Sequence, residues 1–303
     1  MKKIFAFILA IMATTCFVYS AEPEWVINRC PVTPVREEPS EAAEQATQLL
    51  FGEVCEVVER QSSWTKIRST IDGQVGWVST KMVTSVTEEE AKHHQHLETM
   101  GVVATPMAVV TAKGTGAKLM LTLGTRLPNY ADGTFEVLGH KYEIDPNSVY
   151  RIGSQNVTGE DLVRVAQSLK NVSYLWGGKN MMGYDCSGFT QTVYSAFGIY
   201  LLRNAREQVT QGQVVRSLAE AQPGDLVFFD HADRDPNATR ITHVGMLISQ
   251  TEVIHCAGWV HVAKIDDMGI RLANGKLSHH LAQIKRYIYY PAHLENFIDR
   301  GAV

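Results

Sequence analysis

The stretch YLWGGKNMMGYDCSGF, residues 174–189, decides how the rest of the chain is read. Up to Asp185 it reads as a loop. From Cys186 onward Phe189, Val193 and Phe197 recur on one helical face until Gly198, so the spacing predicts a helix over about 186–197 that stops at the glycine. Cys186 then opens the helix, where unpaired N–H groups and the dipole favour a thiolate, and the expectation is a thiol more acidic than usual. Ser187 and Gly188 leave room for a substrate against the backbone, and the Cys186 N–H can face a developing oxyanion. Most lone cysteines are inert buried fillers, so Cys186 needs partners before it counts as a nucleophile.

Downstream, Pro223-Gly224 introduces the strand DLVFF (225–229). ITHVGMLI (241–248) and VIHCAGWV (253–260) follow, joined by the turn-like SQTE. A hairpin centred near Ser249 sets His243 opposite His255 on one face. A thiol, an imidazole base and a third polar group that orients the base make up the thiol-peptidase arrangement. Upstream, Thr158 followed by Asp161 is a capping-box pattern, and Leu162, Val165, Ala166 and Leu169 continue at helical spacing. A shorter helix is expected near Ala205. Helices first and antiparallel strands after give an α+β domain.

Further toward the N-terminus the texture changes. From Glu22 to Thr84, WVINRC, EVCEVVE, WTKIRST and GWVSTKMV read as short strands, with Asp72-Gly73 as a turn, and predict a small β-barrel. The charged segment EEEAKHHQHLETM (88–100) reads as a solvated linker helix. Short β segments from Val102 to Ile152, with a turn at Asp132-Gly133, look like a second, diverged barrel. Met1–Ser20 has Lys2 and Lys3, an apolar run from Ile4 to Phe17 and small residues at Ser20 and Ala21, the pattern of a cleaved export signal; the run is short for an uncleaved anchor, and the residues before Cys16 lack a lipidation pattern. The expected plan is a signal peptide over 1–20, a first barrel over 21–85, a linker helix over 86–100, a second barrel over 101–155 and a catalytic domain over 156–303.

Tyr174, Trp176, Gly177 and Gly178, the Asp185-Cys186-Ser187-Gly188 core, PGDLVFF, THVGM and VIHCAG closely resemble the NlpC/p60 family of bacterial cell-wall cysteine peptidases, over roughly residues 158–290. Two SH3-like barrels ahead of such a domain, with AEQATQLLFGE (43–53) and GWV (76–78) in the first, look like that family's γ-D-glutamyl-L-diamino-acid endopeptidases. The resemblance implies a papain-like α+β catalytic domain behind two barrels. It implies Cys186 as nucleophile, His243 as base, His255 orienting His243, and the Cys186 N–H with the Tyr174 hydroxyl at the oxyanion. It implies that Asp185, Tyr174 and Glu44 recognise the free amino group of L-Ala and that Trp77 covers its side, with Ser187 and Trp176 bordering the nucleophile. Asn204 and Ala205 stand where the family often has Asp and Ser, which removes a charge and a hydroxyl from the substrate groove. The partners implied are peptidoglycan-derived L-Ala-γ-D-Glu-diamino acid peptides, cut by a periplasmic or secreted monomer without a cofactor. A wall-binding protein with a degenerate catalytic fold would have lost Cys186 or His243, and neither is lost; a Cys/His amidase with another substrate is the third reading.

Composition excludes other classes. Lys and Arg total 28 against 32 Asp and Glu, −6 once Lys2 and Lys3 are set aside with the leader, whereas nucleic-acid binders are usually basic. No segment after the leader is apolar enough to span a membrane. Cys30, Cys55, Cys186 and Cys256 lack zinc-knuckle spacing, and Cys30 and Cys55 can be either joined or free in an oxidising compartment. His93, His94 and His96, and likewise His279 and His280, read as solvated faces rather than metal ligands. AKGTGAK (112–118) reads as a hairpin turn rather than a phosphate loop. HADRDPNATR (231–240) reads as a rim loop without calcium register, and RYIYYPA (286–292) as a core strand.

Overall fold

The computed structural model describes residues 24–96, 99–154, 156–230 and 240–288. The leader, nearly all of the 231–240 loop and the end of RYIYYPA lie outside them. None of the helices in this part is long and apolar enough to cross a membrane.

The first seven strands are β1 Glu24–Asn28, β2 Val32–Arg36, β3 Gln45–Leu50, β4 Val54–Gln61, β5 Trp64–Ser69, β6 Val75–Ser79 and β7 Val83–Val86. They form one antiparallel sheet in the order β3-β2-β6-β5-β4-β1-β7. Its interior is Val26, Val35, Leu49, Cys55, Ile67 and Val78. Cys55 pairs in register with Val26 and is almost fully buried in that core, whereas Cys30 lies in the turn after β1, where its N–H donates to Asn28. Both are free thiols.

Helix α1, Glu88–His94, starts in a Thr87/Glu90 capping box. It is not merely a solvated linker. Ala91 is buried, His93 Nε2 lies 2.9 Å from Asn129 Nδ2, and His94 Nε2 accepts from the Leu138 N–H. The second β unit comprises β8 Gly101–Val103, β9 Met107–Ala112, β10 Lys118–Thr122, β11 Arg126–Leu127, β12 Thr134–Val137, β13 His140–Ile144 and β14 Val149–Arg151, in sheets of order β10-β9-β13-β12 and β11-β8-β14. Residues 112–118 make the β9–β10 hairpin turn. Ile27, Phe51 and Val54 of the first unit share a core with Ala91, Val103, Phe135 and Tyr142, so the two units and α1 bury one another's apolar surface.

In the third part, helix α2, Gly159–Ser168, begins in the Thr158/Asp161 capping box and buries Leu162, Val165 and Ala166. Two short strands, β15 Lys179–Asn180 and β16 Gly183–Tyr184, lead into α3, Cys186–Ser195. Gly198 follows with φ +75°, the left-handed exit that glycine permits. After the one-turn α4, Ala205–Gln208, come β17 Gln213–Val215, β18 Leu226–Asp230, β19 His243–Ser249, β20 Glu252–Ala257, β21 Trp259–Asp266, β22 Gly269–Arg271 and β23 Leu277–Arg286. Their sheet has the order β17-β23-β18-β19-β20-β21-β22. The segment read as one strand, 253–260, is two: Gly258, at φ +77°, turns the chain between β20 and β21. α3 packs on β19 and β20 through a core that includes Phe189, Val193, Phe228, Val244 and Ile254.

Candidate active site

Cys186 stands at the start of α3 because Asp185 caps the helix, its carboxylate accepting from the Gly188 N–H at 2.6 Å. Gly188 has no alternative: a Cβ there would lie 2.1 Å from the Gly178 carbonyl oxygen. The same carboxylate accepts from the Gly177 N–H and the Ser187 hydroxyl. It also meets the Arg203 guanidinium fork at 2.6 and 3.1 Å. Arg203 is fully buried and donates as well to Ser187 Oγ and, from Nε, to Thr47 of β3. Asp185 therefore holds the nucleophile's helix in place, with its charge already matched.

The thiol is not acidified in the resting structure. Burial pushes Cys186 up to about 12, the Asp185 charge adds to this, and the Val244 and Ser187 N–H groups offset it only in part. The expected dipole effect is outweighed first by burial of the sulfur and then by the anion that caps the helix. The Val244 contact sets Cys186 against the beginning of β19, where His243 projects.

His243 Nε2 lies 2.8 Å from His255 Nδ1. The hairpin register pairs His255 with Gly245, not with His243, because the chain turns at Gln250-Thr251 rather than at Ser249. The two histidines are diagonal neighbours on one face, and Gly245 makes room, as a Cβ there would come within 3.0 Å of His255 Cβ. With Nε2 engaged, the His243 nitrogen left for Cys186 is Nδ1. Burial, then His255, His279 and His261, depress His243 well below the usual imidazole range, and burial lowers His255 to about 3. Burial thus favours the neutral thiol and the neutral imidazoles in this site.

Tyr174 is half-buried beside Cys186, and burial, with the Asp185 charge nearby, pushes its hydroxyl above the usual phenol range. Trp176 is 61% exposed in the loop before the nucleophile. Its carbonyl accepts from Gln45 Nε2 of β3, which puts exposed Glu44, the preceding residue, next to that loop. Trp77 is buried within β6, opposite Lys66, whose ammonium lies 5.6 Å from its ring centroid. Asn204 caps α4 with Glu207, and Ala205 is buried.

Three residues the sequence reading passed over belong to the surroundings. Arg203 is the buried partner of Asp185. His279, expected on a solvated face, stacks on His243 with ring centroids 4.4 Å apart, while His280 Nδ1 bonds Asp230. His261 lies against His255 at 4.5 Å. Alternation along β21 and β23 places these rings beside the pair, which sequence periodicity reveals only once the strand order is known. Among the described residues no three His, Cys, Asp or Glu converge as metal ligands do.

A cysteine at a capped helix start, packed against the strand that carries a histidine bonded to a second histidine, is the arrangement of a papain-like thiol hydrolase. Family models match residues 171–288 as the NlpC/P60 family and residues 35–82 as the bacterial dipeptidyl-peptidase SH3 domain. A γ-D-glutamyl-L-lysine dipeptidyl-peptidase of Bacillus cereus is 30% identical over 227 residues, covering 69% of this chain and 66% of the relative. One from Bacillus subtilis is 27% identical, covering 69% and 71%. The chain thus spans about two thirds of the length of these relatives. The crystal structure of an NlpC/P60 family protein from Bacillus cereus superposes with a TM-score of 0.75 at 22% identity, over 88% of this chain and all of that one, a likeness of fold. The chain belongs to the NlpC/P60 family, and its third domain is a cysteine peptidase domain.

Proposed function

We propose that the protein hydrolyses the γ-D-glutamyl–diamino acid bond of peptidoglycan stem peptides whose N-terminal L-Ala is free. The observation that carries this reading is the seating of strand β3 against the Trp176-Gly177 loop that precedes Cys186. A barrel set against that loop favours a short N-terminal segment over a continuous chain. The two Bacillus relatives, named for γ-D-glutamyl-L-lysine, support the bond.

In this mechanism Cys186 Sγ attacks the γ-carbonyl carbon as His243 Nδ1 takes the thiol proton, and the oxyanion is met by the Cys186 N–H and the Tyr174 hydroxyl. The C–N bond breaks as His243 returns the proton to the leaving amine. Water, deprotonated by His243, then hydrolyses the thioester and frees the thiol. His255 holds His243 in the required orientation. Glu44 is the group proposed to meet the L-Ala ammonium; Asp185 shapes that end from its Arg203 pair, Ser187 supports it, and Trp176 borders it. Trp77 acts from inside the barrel sheet, and Asn204 and Ala205 shape the groove without the charge of an Asp-Ser pair.

Residues 1–20 are proposed to export the chain to the periplasm or beyond, where it works as a monomer on freed wall peptides. The test is turnover of L-Ala-γ-D-Glu-meso-diaminopimelate and its L-Lys counterpart, each beside an N-acetylated form, with products followed by mass. Cleavage of the free peptides alone is expected. Equal cleavage of acetylated peptides would remove the barrel from the site.

A further inference from the structure

For His243 Nδ1 to accept the thiol proton, His243 must carry its own proton on Nε2 and donate to His255 Nδ1. His255 then carries its proton on Nε2. That nitrogen is buried without a hydrogen-bond partner, although a cleft of about 680 Å3, bordered by His255, His261, His279 and Trp259, opens beside the rings. His261 is fixed in the complementary state. Its Nδ1 lies 2.9 Å from the Trp259 carbonyl oxygen, which only accepts, so Nδ1 bears the hydrogen and Nε2 is a bare acceptor. The His255 and His261 rings are cross-strand partners with centroids 4.5 Å apart and planes tilted by 50°, so a turn of the partly exposed His261 ring brings its Nε2 to the His255 Nε2 hydrogen.

We propose that His261 is a positioning residue for the thiol site, its Nε2 accepting the His255 Nε2 hydrogen so that the order Cys186–His243–His255–His261 ends on the Trp259 backbone carbonyl. Every donor in that sequence points the same way. The carbonyl, which cannot change protonation, selects the one tautomer in which His243 is a base toward Cys186. When His243 becomes charged, the same bonds polarise toward Trp259 and spread the charge. His279 and Phe229 flank His243 and hold its ring plane, a different task. The inference rests on Cys186 and His243 as nucleophile and base, not on the peptide they cut.

The experiment needs no peptide. Alkylation of Cys186 by iodoacetamide is followed across pH in the full chain by mass of the Cys186 fragment, for the wild type, His261→Phe, His261→Gln and His243→Ala. His261→Phe keeps a stacking ring and removes the acceptor; the neutral-pH rate is expected to fall about tenfold, roughly what one hydrogen bond with a charged partner is worth, and the profile to move to higher pH. Gln supplies a carbonyl acceptor and restores both. In nitrogen-15 spectra His243 is a single Nε2–H tautomer in the wild type and a mixture in His261→Phe. A wild-type rate in His261→Phe with a slow His243→Ala overturns the relay alone, as does a Gln variant as slow as Phe. An unchanged rate in His243→Ala defeats the base assignment itself.

Discussion

At the scale of single residues, the site is a set of neutral groups kept neutral by burial. His243 and His255 titrate near 6.5 in the unfolded chain and lower when folded, His255 at about 3, so below pH 6.5 the unfolded state binds the extra protons. Their contribution to stability is complete above about pH 6.5. It is lost as the pH falls from there, for His255 down to about 3 at on the order of 1 kcal/mol per pH unit, with His243 adding in the same direction. Urea midpoints measured from neutral to mildly acidic pH should decline, and decline less steeply in His255→Gln; a parallel decline in both would show that His255 is not the group responsible. Cys186→Ala should abolish hydrolysis while leaving the urea midpoint within about 1 kcal/mol of wild type, because the helix start is held by Asp185, not by the thiol. Residual turnover in that variant would displace the nucleophile. The helix start at Cys186 and the nearness of His243 to His255 were legible in sequence, from capping and apolar spacing and from two strands joined by a short turn. The thiol's protonation was not, since the helix dipole can be read from a helix start but the buried anion beside it cannot.

At the scale of elements, the Asp185–Arg203 pair joins the first turn of α3 to the segment before α4 and, through Thr47, to β3. Asp185→Asn leaves a buried guanidinium without its counter-charge and should cost about 3–5 kcal/mol; Arg203→Lys should recover little, since an ammonium cannot span Asp185, Ser187 and Thr47 together. Chemical denaturation decides, and a loss under about 1 kcal/mol in Asp185→Asn would show the pair to be dispensable. The capped helices at Thr158 and Cys186 were readable because capping and apolar spacing are local signals. The hairpin register was not: the chain turns at Gln250-Thr251 rather than at Ser249, which sets His255 opposite Gly245, and the register depends on pairing that no single strand records. Likewise His93 and His94 look solvated in a charged segment, yet α1 lies against Asn129 and Leu138.

At the scale of the whole molecule, β3 and its neighbours are joined to the catalytic domain mainly by polar groups. Gln48 accepts from the Lys179 N–H and from Asn180, Asp72 accepts from Gln191, and the Glu53 and Lys179 side chains pair in full burial at 3.1 Å. Burial raises the Glu53 carboxyl and Lys179 only partly reverses it, so this pair specifies the fit more than it stabilises it. Glu53→Leu alone should cost about 3–5 kcal/mol by stranding Lys179, while Glu53→Leu with Lys179→Met should return to within about 1–2 kcal/mol of wild type, measured as urea midpoints; a double variant no better than the single one would mean the charges themselves are needed. The barrels were legible as strands and turns, but their seating was not, because Gln48, Glu53 and Asp72 look like ordinary surface polar residues until a partner domain covers them. Gly177 adds a different kind of constraint: at φ +71°, with any Cβ falling 2.4 Å from the Gln45 carbonyl oxygen, it lets two backbones touch where no side chain can mediate. A fit made of main-chain atoms cannot be retuned by point mutation. Exchanging the barrel for another by recombination would preserve that fit only if the incoming strand followed the same path, so the two parts are matched to each other even though each could be drawn as a separate module.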